Sequence, residues 1–171
     1  MSLITPIHRA ALLLSAALCA ALAPAGSQAF ESGGFRSGMT VTEFTAAATA
    51  MGYEVRDSEL GLEKLKGFEL RRRDGQQGPA VTFCNDRLDS VGERVEGGFA
   101  GFAEAIAQAR STLGEGQISD AYARKSAVGT FSRLAVRWYR PGTQEFFYVS
   151  ATDYKGFGAA KGWRVDTPDC S

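Results

Sequence analysis

The chain has 171 residues, with 19 basic and 19 acidic side chains, one His and three Cys, and it is 44% hydrophobic and 11% aromatic. That length admits one compact body or two very small ones, and the ordinary globular composition excludes a disordered chain. Balanced charge lacks the basic excess of a nucleic-acid binder, so no nucleic-acid partner is expected.

Met1 to Ala29 read as a secretory signal. Arg9, with the amino terminus and His8, makes a positive start, and Ala10 to Ala23 is a predominantly apolar stretch. It is shorter than the ~20 residues needed to cross a bilayer, and polar residues follow at once, which argues against an uncleaved anchor. Pro24 and Gly26 break the helix, and Ser27-Gln28-Ala29 puts small residues where signal peptidase reads them. Cleavage is expected after Ala29, with Ala25 as the alternative. Cys19 follows Leu18 rather than a small residue, so lipid attachment there is not expected. The resulting address is periplasmic or secreted, with no membrane span after signal removal.

Cleavage discards the chain's one histidine, His8. Residues 30–171 therefore cannot run a Ser-His-Asp or Cys-His relay, and they lack the commonest transition-metal ligand. No metal and no cofactor are expected. Cys84 and Cys170 remain, and an exported pair usually joins, so a disulfide is expected; two buried free thiols are the alternative.

The first helical signal is Thr40-Val41-Thr42-Glu43, a capping box. Val41, Phe44, Ala48 and Met51 recur behind it at helical spacing, and Gly52 stops the helix. Strands are expected over Phe68 to Arg73, Ala80 to Cys84 and Leu88 to Val95, the first two joined by a turn at Asp74 to Pro79. A second helix is expected from Phe99 to Leu113, stopped by Gly114. Strands over Phe131 to Arg140, Glu145 to Thr152 and Trp163 to Val165 follow. A shift of 66 positions lays Leu70-Arg71 on Val136-Arg137, and Ala80 to Phe83 on Phe146 to Val149, which reads as an internal duplication. The expected fold is α+β, with two related helix-plus-antiparallel-meander units packed as one body: a signal at 1–29, a first unit at 30–96 and a second at 97–171.

Phe35 to Phe44, containing Gly38-Met39-Thr40, followed by Met51-Gly52-Tyr53, resembles the helix opening of the BamE (SmpA/OmlA) family. The same fold is doubled in the beta-lactamase-inhibitor-protein type. The resemblance implies a small exported α+β module that binds other proteins, either outer-membrane assembly partners or secreted enzymes. The lipid-bearing Cys of BamE-type lipoproteins has no counterpart here, and the second unit has no Gly-Met-Thr opening.

Two groups of residues are candidate binding surfaces. Arg71-Arg72-Arg73 is the densest basic stretch; on a strand Arg71 and Arg73 share a face that suits an anionic partner, or is simply solvated. Arg137, Trp138, Tyr139, Phe147 and Tyr148 bring together the residue types that dominate protein interfaces. Alternation sends Phe147 and Val149 to one side of their strand and Phe146 and Tyr148 to the other, so one set is core and the other a candidate platform. For catalysis only carboxylates are available, Asp86, Asp89, Glu93 and Glu96, which could serve a small hydrolase. The expected function is an exported non-catalytic protein-binding module of the cell envelope, an assembly factor or enzyme inhibitor. A carboxylate-dependent hydrolase and a structural or ligand-binding envelope protein are the alternatives. The expected partner is another envelope or secreted protein.

Overall fold

The computed structural model describes residues 30–58, 64–126, 129–153 and 156–170. The signal segment 1–29 lies outside the described residues. A two-residue hairpin, β1 (Glu31–Ser32) and β2 (Phe35–Arg36), precedes the first helix. Thr40 caps α1 (Val41–Ala50): its hydroxyl accepts from the Glu43 amide at 3.2 Å, and the Glu43 carboxylate accepts from the Thr40 amide at 2.8 Å. The backbone bond to Thr40 holds the Glu43 carboxyl below its ordinary value. These bonds close within four residues, so the helix start requires nothing distant. The second helix, α2 (Gly98–Leu113), buries Phe102, Ala105 and Ala109.

The remaining elements are strands: β3 (Tyr53–Ser58), β4 (Leu65–Arg72), β5 (Gln77–Cys84), β6 (Arg87–Val95), β7 (Gln117–Ser126), β8 (Gly129–Tyr139), β9 (Glu145–Thr152) and β10 (Gly158–Val165). All eight join one antiparallel sheet in the order β3-β4-β5-β6-β10-β9-β8-β7. This corrects the expected α+β fold of two helix-plus-antiparallel-meander units. The described chain is mostly antiparallel β, with one sheet running through both halves and two helices of 10 and 16 residues laid on it. Two strands escaped the sequence reading. β3 and β7 are the outer edges of the sheet; β3 carries Glu54, Arg56 and Asp57, and β7 carries Asp120. Charges of this kind protect an edge from pairing with another chain; in β3 they alternate with Tyr53 and Val55, which lean on the core, but two apolar positions make a short strand signal.

Tight turns link the meander. Asn85 and Asp86, at φ 49° and 61°, form the two-residue connection between β5 and β6. Positive φ at both turn residues matches the twist of the flanking strands, and Asn and Asp tolerate it better than other residues do.

One face of the sheet carries the core. Phe44 and Ala48 of α1 pack with Leu70, Val81, Phe83 and Val91, and Trp163 and Val165 of β10 lean on this cluster. Phe102, Ala105 and Ala109 of α2 pack with Trp138, Val149, Ala151 and Ala159. Ala159, Trp163 and Val165 share a face of β10 by alternation. Both helices therefore cover the same side, and among the described residues the other side is left without a helix.

The seam between β6 and β10 is tight. A Cβ at Gly162 would strike the Val91 carbonyl oxygen and come within 2.7 Å of the Gly92 Cα. Gly162→Ala is expected to cost about 2 kcal/mol of stability, since backbone rather than a flexible side chain must give way. Urea denaturation of the variant checks this; an unchanged midpoint would show that the seam yields freely.

Candidate protein-binding face

The helix-free face is built by pairing register. Thr82, Ser90, Arg164, Phe146 and Tyr139 form one row across β5, β6, β10, β9 and β8. The next row is Ala80, Gly92, Gly162, Tyr148 and Arg137. The two glycines leave a bare floor, and the Tyr148 hydroxyl reaches across it to where a Gly92 Cβ would stand. Burial pushes the Tyr148 phenol above its ordinary value, against the opposing charges of Arg164 and Arg133, so it stays protonated and can donate a hydrogen bond.

A pocket of about 320 Å³ opens here, lined by Arg133, Arg137, Arg164, Phe146, Tyr148 and Ser150 among others. Phe146 is itself only 3% exposed, covered by the Arg137 guanidinium 4.7 Å over its ring and by Tyr139, tilted against it at 5.3 Å. Asp120 is shared by Arg137 at 3.6 Å and Arg133 at 3.8 Å, while Arg164 pairs with Asp89 at 3.2 Å. Three guanidiniums thus face two carboxylates, which leaves a surplus of positive charge and donor hydrogens suited to an acidic group.

The structure divides the sequence-predicted residues. Arg137, Tyr139 and Tyr148 stand together on the helix-free face. Trp138 is 5% exposed and Phe147 packs on the same cluster, so both serve the core beneath α2. Arg71 is exposed on β4, and Arg73 lies exposed in the turn beyond it. β5, β6, β10 and β9 separate β4 from β8, which at the usual strand spacing is roughly 24 Å. The Arg71 and Arg73 stretch is therefore a separate basic region.

Arg133, Phe146 and Arg164 were not singled out as binding residues, although alternation had already put Phe146 beside Tyr148 on one side of the strand. The alternation Arg133-Ala135-Arg137-Tyr139 on β8 and Phe146-Tyr148-Ser150 on β9 carried the signal for the first two. Arg164 had no such signal, because only the pairing of β10 between β6 and β9 brings it to this row. Also unforeseen is an apolar corner where Phe99, 69% exposed, meets Phe102 at 6.2 Å and Phe157 at 6.4 Å.

The carboxylates considered for hydrolysis go to different partners. Asp86 in the β5–β6 turn pairs with Lys66 at 2.6 Å, and Glu96, before α2, with Arg94 at 3.5 Å. Asp89 is 2% exposed; Arg164 donates to it at 3.2 Å and Thr167 at 2.9 Å. Burial pushes its carboxyl above the ordinary value, with the Thr167 bond and the Arg164 charge pulling the other way. Glu145, not singled out from the sequence, is 4% exposed and accepts from the Phe30 amide, the Ser37 hydroxyl and Arg140, each at 2.8 Å. Asp89 and Glu145 both line a cavity of about 580 Å³ that also meets Cys84 and Thr167. Cys84 and Cys170 stand at disulfide distance, their Cα atoms 6.0 Å apart.

Among the described residues, no group of three or more His, Cys, Asp or Glu side chains could hold a metal ion. No helix of the described residues is long and apolar enough to cross a membrane. No family model, no curated protein and no solved structure matches this chain.

Proposed function

We propose that this chain is an exported, non-catalytic protein-binding module of the bacterial cell envelope, and that it grips its partner with the helix-free face of the sheet. The observation that carries the reading is the gathering of Arg133, Arg137 and Arg164 with Phe146 and Tyr148 around one open pocket. Arginine and tyrosine dominate the energetics of protein interfaces, and a guanidinium preset over an aromatic ring loses little freedom on binding. The positive surplus commits the pocket to an acidic side chain on a loop of the partner. The resemblance of the Gly38-Met39-Thr40 helix opening to the BamE family supports the same reading, as do the signal-like first 29 residues.

The test is capture of a partner from an envelope extract, followed by titration of that purified partner against two variants. Arg137→Glu is expected to weaken binding by about 10- to 100-fold, mostly through faster dissociation. Arg73→Glu makes the same charge change in the separate basic region and should leave affinity within about twofold. A partner indifferent to Arg137→Glu but lost with Arg73→Glu would move the site to the Arg71 and Arg73 stretch and sink the proposal.

A further inference from the structure

Phe30 is held in a way that an ordinary chain residue does not require. It is fully buried, its ring stacks on Trp163 at 6.4 Å, and its carbonyl accepts from the Ser37 amide at 3.0 Å. Its backbone nitrogen donates at 2.8 Å to Oε1 of Glu145, a residue 115 positions away. The Glu145 side chain is only 6% exposed, and its other oxygen pairs with Arg140 at 2.8 Å. The Arg140 guanidinium in turn sits 4.8 Å over the Trp163 ring. A buried carboxylate oxygen is thus shared by one backbone nitrogen and the Ser37 hydroxyl, also at 2.8 Å, and that nitrogen follows directly on Ser27-Gln28-Ala29, where small residues mark a processing site.

Resting on the export proposed above and its expected cut at the Ala29–Phe30 bond, we infer that Glu145 is the receptor for the α-ammonium group that this cut creates. Hydrolysis by a signal-peptidase-class enzyme adds one water across the bond: Ala29 leaves with a carboxylate, and the Phe30 nitrogen becomes an ammonium group. Before the cut, Phe30 offers Glu145 a neutral amide hydrogen. After it, the same atom brings a positive charge, and charge-assisted bonds of this kind are roughly twice as strong as neutral ones. The full stability of the fold then arrives only with processing, and a chain still bearing its leader remains looser.

The experiment compares three forms of one chain: one beginning at Phe30 with a free amine, one with that amine acetylated, and one retaining Ala29. The free-amine form should melt about 3–6 °C above the other two at pH 7. The gap should narrow as the pH is raised past the ~7.7–8.0 at which an α-amine ordinarily loses its proton. Glu145→Gln should abolish the gap; should that variant fail to fold, the acetylated and extended chains still decide, since they keep every side chain. Equal melting of the three forms overturns the inference. So does an exported chain whose intact mass places its first residue at Gly26. The compartment in which the shortened chain is found tests export separately, so a chain exported but cut elsewhere refutes this inference and leaves the functional proposal standing.

Discussion

Arg164→Met is expected to lower the unfolding free energy by about 3 kcal/mol at pH 7, because it leaves a carboxylate buried without its cation. Arg164 Nε donates to Asp89 Oδ2 at 3.2 Å, and its Nη2 donates to the Cys170 carbonyl at 3.1 Å, so one side chain ties β10 to both β6 and the C-terminal turn. The Asp89 side chain is 1% exposed, and with Arg164 gone Thr167 remains as its donor. The loss should depend on pH in a definite direction. Burial already holds the Asp89 carboxyl above its ordinary value, and Arg164 is one of the groups pulling it down. A carboxyl raised in the fold favours folding when protonated, an advantage present below its unfolded value and lost as pH rises through its folded value. Without Arg164 the carboxyl rises further, so the deficit is full at neutral pH and shrinks as the solution is acidified toward the carboxyl range. Urea melts at pH 7 and at about pH 4.5 measure this. A deficit of the same size at both pH values would show that Arg164 acts through packing alone. Adding Asp89→Asn to Arg164→Met removes the stranded charge and should return much of the loss, a coupling that two independent sites would not show.

The second large effect concerns the cysteines. Cys84 lies at the end of β5, and Cys170 closes the short 3-10 turn Pro168–Cys170, 86 positions away. A cross-link over that separation restricts the unfolded chain enough to contribute about 4.6 kcal/mol on the chain-entropy argument. Cys84→Ala with Cys170→Ala should therefore lower the melting temperature by about 10 °C, and so should reductant added to the unaltered protein. Mass spectrometry of the purified, non-reduced protein after alkylation gives the independent check. Two modified thiols would contradict the bond, and the substitutions should then cost no more than loss of two small buried side chains. The same tail carries Thr167, which donates to Asp89 at 2.9 Å, so freeing Cys170 should also weaken the Asp89 cluster.

Parts of the architecture were legible in the residues. The Thr40 capping box, the end of α1 before Gly52 and the end of α2 before Gly114 follow from bonds and φ preferences closed within a few residues. The strand alternation of β8 and β9 was readable too, since Phe147 and Val149 must lie opposite Phe146 and Tyr148 whatever the sheet does. Which of these two sets is core was not readable. That depends on which side α2 lands, and α2 presents Phe102, Ala105 and Ala109 to the side holding Trp138 and Val149. The edge strands β3 and β7 went unread because β3 offers only Tyr53 and Val55 between its charges, and β7 is exposed over 117–119 and 121–123, so neither carries the longer apolar alternation of an inner strand.

The α+β expectation failed at a single kind of step. Helix and hairpin signals are local, so each half could be drawn with its own helix and meander. The pairing of β6 with β10, from Ser90↔Arg164 through Val95↔Ala159, has no local signal. It forms because the inner strands of both halves would otherwise leave backbone donors and acceptors unpaired beside buried apolar faces.

Short-range chemistry therefore belonged to the amino-acid string: caps, turn residues, the alternation of side chains, two cysteines available to pair, and one histidine confined to the first 29 residues. Long-range chemistry belonged to the folded sheet. Asp89 meets Arg164 across 75 positions, Phe30 meets Glu145 across 115, and three arginines from β8 and β10 converge on one pocket. The physical reason is range. A capping bond is decided by neighbours a few residues away, whereas the partner of a buried charge is decided by strand register, which the whole core selects at once.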